Sequence, residues 1–433
     1  MITKDLIKLV TEEQKNRILG REAGIRRSLL DNIMAKIELK ETVVISGVRR
    51  SGKSTLLIQI LKGLMNTGVK KENILYVNFE DERLDGFAVK DFNMLWEVFL
   101  ELNNPKEKVY MFLDEIQEVE RWEKFVNRMY ELEDVKIFIT GSNARLLSSE
   151  ISSLLTGRNI TYTLNTFSFN EVFELKNIKN IYDTKETAAL HRKLDEYFDY
   201  GGFPEVYLKK EKILLGNYVR DIINRDIISR HKIKNIKLFN EFARYVISCY
   251  GRNITYGKLR GVFNLGSVNT AKRYLGFMED AYLVYIVANY SSSMSEVVKS
   301  PRKIYASDHG LGRYFSLKSS EDKGAALENI VFLELKRRQN EKPEMEIYYW
   351  KDPQQREVDF VVKEGINPKE LIQVCWDVEN LETREREVKA LLKATEQFKI
   401  NEGLIITREF SGEKKIGDKN IRYVPVWKWL LGI

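Results

Sequence analysis

The nine residues GVRRSGKST, at positions 47–55, limit what this chain can become more than any other stretch. They follow the apolar run TVVIS and lead into the helix-periodic segment LLIQILKGLM, so the sequence reads strand, glycine-rich loop, helix. The spacing fits G-x-x-x-x-G-K-[ST], with Gly47, Gly52, Lys53 and Ser54 in the fixed places. Glycines there let the backbone wrap a phosphate with no Cβ in the way, and a helix N-terminus adds partial positive charge. Arg50, Ser51 and Thr55 complete the expected cradle. Lys53 is expected to reach the β and γ phosphates of ATP, and Ser54 a Mg²⁺ ion. A plain glycine turn between strand and helix is the competing reading, and the full spacing in this context weighs against it.

A phosphate loop that turns over its nucleotide needs a carboxylate for the metal and a group that positions water. In VYMFLDE (109–115) an apolar run leads straight into Asp114 and Glu115, the pattern of a buried parallel strand ending at a ligand edge. Asp114 is the expected partner of Mg²⁺ and Glu115 the expected water-orienting base. A third strand, VKIFIT (135–140), runs into Gly141, Ser142 and Asn143. Ligands of open parallel sheets collect at strand C-termini, which makes Asn143 the candidate sensor of the γ-phosphate.

This order and spacing, closed by an arginine after the sensor helix, resembles an AAA+ type ATPase module. The resemblance implies that Arg158 is an arginine finger completing a neighbouring subunit's site, with Arg145 as its rival, and hence a homo-oligomer such as a hexameric ring. A narrower resemblance rests on VNFEDERL (77–84), TGSNARLLS, LTGR, FSFNE, GGFPEVY (201–207), KIYASDHGLG and REVDFVV. Together these resemble the prokaryotic AAA-type ATPases that carry a C-terminal domain of unassigned function, over nearly the whole chain.

A chain of 433 residues is too long for one hydrophobic core. Four parts are expected: a P-loop ATPase core over 1–165, a helical lid over 166–235, a winged helix-turn-helix over 236–315 and a restriction-endonuclease-like α/β domain over 316–433. No apolar run approaches the roughly 18 residues that span a bilayer, so no membrane partner is expected. The N-terminal residues lack an apolar signal core, and the two cysteines, Cys249 and Cys375, fit no metal spacing; a cytoplasmic setting follows as the expectation.

The net charge of +7 permits nucleic-acid binding without establishing it. Its distribution is more informative. Residues 208–237 interleave basic and apolar positions at helical spacing, and residues 240–287 read as helix, short helix, a turn at Asn264–Gly266, then a helix capped by Ser267. Two β-rich segments follow, YLVYIVANY and RKIYASD. That layout is a winged helix-turn-helix, whose last helix meets the major groove. Asn269, Lys272 and Arg273 are the expected DNA-facing residues, with Lys258 and Arg260 on phosphates. A docking piece for a protein is the alternative.

From 324 onward the order helix, three strands, helix, strand, with IRYVPVW as a last strand, resembles the restriction-endonuclease-like fold. That resemblance places Glu328 and Asp359 at carboxylate positions of a metal site. Where the fold carries Glu-x-Lys, this chain reads Gln373, Val374, Cys375, so Glu328, Asp359 and Gln373 mark a vestigial site. Arg386 or Lys389 are the stand-ins for the missing base. The expected function is an ATP-hydrolysing oligomeric motor or remodeller on DNA, with a nucleotide-gated recruitment switch and an ATP-dependent nuclease as the alternatives.

Overall fold

The computed structural model describes residues 2–143, 155, 157–173, 184–316 and 322–433, and Arg145 lies outside them. The chain divides into two compact units between Leu164 and Asn165.

In the first unit, β1 (Thr42–Ser46), β2 (Ile74–Asn78), β3 (Val109–Asp114), β4 (Val135–Gly141) and β5 (Asn159–Thr163) form one sheet in the order β2-β3-β4-β1-β5. All of its pairings are parallel. The central strands β1 and β4 are buried along their whole length, as expected of strands covered on both faces. One face is packed by the helix Lys53–Asn66 through Leu56, Leu57, Ile60, Leu61 and Leu64. The other is packed by the helices Lys4–Gly20, Asp91–Asn103 and Trp122–Leu132, where Phe92 stacks on Phe125 at 4.3 Å. A parallel sheet brings all strand C-termini to one edge, so the ends of β1, β3 and β4 face the same space.

Among the described residues the second unit holds two sheets. The smaller one is antiparallel, with β6 (Arg252–Ile254), β7 (Val284–Val287) and β8 (Arg302–Ala306) in the order β6-β8-β7. It accompanies the helices Ile236–Ser248, Tyr256–Val262 and Val268–Asp280. Thr255 and Ser267 cap the last two by accepting the N–H of Lys258 and of Thr270, both at 3.1 Å. β7 is shorter than YLVYIVANY suggests, and the serine-containing loop after it holds a short helix, Met294–Lys299.

The larger sheet is mixed. It contains β9 (Met345–Lys351), β10 (Glu357–Glu364), β11 (Asn367–Cys375), β12 (Glu402–Thr407), β13 (Gly412–Ile416) and β14 (Lys419–Pro425), in the order β13-β14-β12-β11-β10-β9. β11, β12 and β14 run parallel, and the remaining pairs are antiparallel. The helix Leu381–Phe398 packs on this sheet through Val388, Leu391 and Ala394. Two details depart from the sequence reading. β13 forms an added hairpin with β14, and IRYVPVW is not wholly strand, because a helix runs from Val426 to Leu431. Pro425, the helix N-cap with φ −56°, has no N–H to give a ladder and is well placed where strand gives way to helix.

Two motifs left without a role by the sequence close on one another in this unit. Asp308 accepts the N–H of Gly202 at 2.7 Å and of Gly310 at 2.9 Å. A Cβ on Gly201, whose φ is +78°, would stand 2.1 Å from Asp308 Oδ1. Gly201 is therefore required by close approach to SDHG, and Gly202 by the Phe167 carbonyl oxygen, which would stand 2.5 Å from its Cβ.

Candidate nucleotide site

β1 ends at Ser46, and the chain then turns through backbone conformations that few side chains tolerate. Gly47, Arg50 and Gly52 have φ of 149°, 72° and 99°. A Cβ on Gly47 would lie 2.2 Å from the carbonyl oxygen of Leu164, so only glycine fits there. Arg27, buried, donates to the Ser51 carbonyl at 2.7 Å and braces the loop from behind. Ser51 Oγ is buried with no hydrogen-bond partner among the described residues. Such an orphan costs free energy and calls for a partner. Gly52 caps the helix Lys53–Asn66, and Arg50 is exposed while Ser54 and Thr55 sit part-buried in its first turn.

Lys53 is buried. Its Nζ donates to the carbonyl of Gly47 at 3.2 Å and stands 3.5 Å from Glu115 Oε1. Glu115 itself has φ 52°, left-handed for a non-glycine residue, because the chain leaves β3 sharply at that point. The turn is held by Thr140 of β4, whose hydroxyl accepts the Glu115 N–H at 2.9 Å and donates to Asp114 Oδ1. Tyr76 of β2 donates to the other Asp114 oxygen at 2.9 Å. Asp114 is thus wholly buried and gripped from both neighbouring strands.

The two carboxyls are pushed apart electrostatically. Burial raises the pKa of Asp114, and the charge of Glu115 adds to the rise, while hydrogen bonds from Thr140, Ser54 and Tyr76 oppose it. Burial is the largest single influence on Glu115 and acts upward, but Lys53, the Gln117 amide and Arg49 together outweigh it and hold Glu115 below the usual carboxylate range, ionised at neutral pH. Asn143, also buried, follows β4, the strand lying between β1 and β3.

Arg158 occupies a different place. Its carbonyl accepts the Thr42 N–H at 3.0 Å, at the start of β1 and β5. About 3.3 Å per residue over these strands puts it on the order of 15 Å from the loop, at the opposite sheet edge. Its side chain pairs with Glu131 and lies over the Tyr130 ring at 5.3 Å. Within one chain, then, the structure brings together Lys53, Ser54, Asp114 and Glu115, sets Asn143 just past the end of the strand between β1 and β3, and leaves Arg158 apart. Sequence reading missed Tyr76, Thr140 and Arg27. The only early signal was Tyr76, a polar-tipped residue inside an otherwise apolar strand.

In the second unit Lys258, Arg260, Asn269, Lys272 and Arg273 are all exposed, whereas Ala271, Leu275 and Met278 of the same last helix are buried. The polar and apolar faces alternate as an amphipathic helix requires.

The acid cluster lies in the same unit. Glu328, Asp359 and Gln373 do meet: the Asp359 N–H donates to Gln373 Oε1 at 3.2 Å, and Lys303 of β8 joins Asp359 to Glu328. Glu357 and Glu387 were missed, as was Lys303. Arg386 reaches Glu387 at 2.6 Å, while Lys389 pairs with Glu385 on the exposed helix face and stays away from the cluster. Burial, then the charge of Asp359, raises Glu328 above the carboxylate range, against the pull of Lys303. Among the described residues no group of His, Cys, Asp and Glu is arranged to hold a metal ion.

A glycine-rich phosphate loop on an inner strand, facing an Asp-Glu pair one strand beyond its neighbour, defines a P-loop protein of AAA type. Consistently, residues 39–173 match the family model described as an AAA domain, while 191–322 and 323–429 match two models described as domains of unknown function, DUF8612 and DUF4143. The chain belongs to the family of the Methanocaldococcus jannaschii protein MJ1544, itself described as uncharacterized. The two are 38% identical over 421 residues, an alignment covering 92% of this chain and 90% of that protein. An uncharacterized Haemophilus influenzae protein is 31% identical over 404 residues, covering 90% of this chain and 96% of its own length. Among solved structures, the Aeropyrum pernix ORC1 protein in complex with DNA aligns over 70% of this chain and 95% of that one, at 11% identity and a TM-score of 0.30.

Proposed function

We propose that this protein binds and hydrolyses ATP and uses the cycle to act on DNA as an oligomeric motor or remodeller. The observation that carries the first half is the contact of Lys53 with Glu115 inside a loop that has an orphaned Ser51 hydroxyl and no room for a Cβ at Gly47. Phosphates entering the loop take over Lys53 and satisfy Ser51 and the loop amides. Glu115 is thereby released, ionised, to orient water and accept its proton. Ser54 and Asp114 are the residues to hold Mg²⁺, which when bound supplies neutralising charge on the phosphate oxygens. Asn143, from the intervening strand, senses the γ-phosphate.

Arg158 points to assembly. It sits too far from its own loop to reach the phosphates, so a finger role requires a neighbouring copy, and a closed ring such as a hexamer satisfies every site in turn. DNA is the proposed partner on account of the exposed Asn269, Lys272 and Arg273 on a helix that follows a capped turn, next to a three-stranded sheet. This supports reading 236–315 as a winged helix-turn-helix, with 166–235 as lid and 316–433 as a restriction-endonuclease-like domain without nuclease activity. A cytoplasmic setting goes with that reading.

The test is steady-state ATP hydrolysis with and without single-stranded, duplex and branched DNA. Stimulation by one form supports the motor; slow turnover indifferent to DNA, with tight nucleotide binding, favours a recruitment switch.

A further inference from the structure

Lys303 Nζ lies 2.7 Å from Asp359 Oδ1, 2.8 Å from Glu328 Oε1 and 2.9 Å from Glu357 Oε1. An ammonium has three donors, and all three are spent here. The lysine side chain is only 2% exposed, and its acceptors come from the helix Asp322–Arg338 and from β10. The outer lone pairs of the acids are also engaged. Val374 N–H donates to Asp359 Oδ2 at 2.9 Å, Asn253 of β6 donates to Glu357 Oε2 at 2.8 Å, and Tyr305, two residues along β8, donates at 2.6 Å to Glu328 Oε1, the oxygen it shares with Lys303. Lys351 stands 3.4 Å from Glu357. On the far side of Gln373, Glu387 accepts from Gln373 and from Arg386.

We infer that Lys303 is the resident cation of this carboxylate cage, standing where a divalent ion would stand and bolting the smaller sheet of the second unit to its larger one. Asp359, Glu357 and the Glu328 carboxyl converge on one position, and as they stand their 2.7–2.9 Å distances suit an ammonium and not a hard cation, which takes oxygens at roughly 2.0–2.6 Å. With the ammonium at the centre, that position is filled and the charge of one acid is matched by a group the chain cannot lose. The bolt is directional, because β8 is the middle strand of the smaller sheet and β10 an inner strand of the larger. Asn329 strengthens the same seam, accepting the Ala306 N–H at 2.8 Å and donating to its carbonyl at 3.0 Å. Sequence alone gave no hint of this, since Lys303 and Asp359 are 56 residues apart.

The experiment is a Mn²⁺ titration of the full chain without nucleotide, read by the spin resonance of free Mn²⁺ and by thermal unfolding. The wild type is expected to show no Mn²⁺ site that Glu357→Gln weakens. Lys303→Ala is expected to unfold roughly 10 °C lower, since breaking a buried ion pair leaves uncompensated charge. It should also gain one Mn²⁺ site, recover part of the lost midpoint on Mn²⁺ addition, and lose that site when Glu357→Gln is added. A wild-type site sensitive to Glu357→Gln overturns the inference, as does a folded Lys303→Ala protein with no new site. Should Lys303→Ala fail to fold, the wild-type and Glu357→Gln titrations decide by themselves: equal Mn²⁺ binding in both supports the resident cation, and a difference overturns it.

Discussion

Lys53 Nζ stands 3.5 Å from Glu115 Oε1, so the lysine expected on the phosphates and the acid expected on the water are paired with one another. ATP must replace Glu115 as the lysine's partner. Lys53→Ala therefore removes the principal phosphate charge and leaves Glu115 buried without its counter-ion. Loss of detectable ATP binding, on the order of 100-fold or more in Kd, is the expected outcome by equilibrium titration, with the protein still folded. Retained affinity would detach Lys53 from the phosphates.

The remote position of Arg158 predicts complementation between subunits. Arg158→Ala and Lys53→Ala are each expected to lower turnover by roughly 10³ or more, the scale of a finger in related phosphoryl transfer. Mixed together, they pair some intact loops with intact fingers, so activity should return at intermediate ratios. Co-assembly without any recovery at any ratio contradicts a shared site.

Much of the first unit was legible because its chemistry is written in consecutive residues. Gly47 to Gly52 read as a loop running into a helix by spacing alone, and the apolar strand ahead of Asp114 announces a buried edge. Arg27 and Thr140 were not legible, and Tyr76 showed only as a polar-tipped residue in an apolar strand. Their contribution is a contact across the sheet, and nothing near them in sequence marks Thr140 as the residue that ties Asp114 and Glu115 together. The acid cluster shows the same limit more sharply. Glu328 and Asp359 were named from a resemblance, but the missing base was sought on the following helix, at Arg386 and Lys389, while the cation comes from β8, in a segment read as β-rich and given no part in the acid cluster. Pairing of distant strands, not local propensity, decides such a position.

On the amphipathic helix Val268–Asp280, replacing Asn269, Lys272 or Arg273 by alanine is expected to cost about 1–3 kcal/mol each in binding a preferred DNA. Lys258→Ala or Arg260→Ala should weaken all DNA alike and reduce the salt slope by about 1 each. Affinities measured across a salt series separate the two behaviours. Unchanged binding in all five variants would direct attention to a protein partner.

The second unit is expected not to cut DNA. Incubation with linear, circular and branched DNA in Mg²⁺ and in Mn²⁺ should leave every substrate intact. Cleavage by the parent that disappears in Asp359→Ala would make the acid cluster a working nuclease site.

Burial raises the carboxyl of Glu279 to about 7, helped by the charge of Asp280 and opposed by the Ile286 N–H and Lys336. Between the ordinary 4.5 and that value the folded state keeps a proton the unfolded chain has lost, so stability falls as pH rises across the window. Glu279→Gln should flatten the slope, a difference of about 1–3 kcal/mol between pH 4.5 and 7 by denaturant unfolding. A slope unchanged by the substitution contradicts the raised carboxyl.

The most direct measurement is phosphate release from ATP by the wild type and by Glu115→Gln, with Mg²⁺ and with Mg²⁺ chelated, alongside nucleotide binding by both. The glutamine keeps the shape beside Lys53 but cannot take a proton. The wild type should hydrolyse ATP only with Mg²⁺, and Glu115→Gln should bind ATP at least as well while its turnover falls by roughly 10² or more. Full turnover in Glu115→Gln, or no Mg²⁺-dependent hydrolysis by the wild type with any DNA, would contradict the assignment of this site as an ATPase.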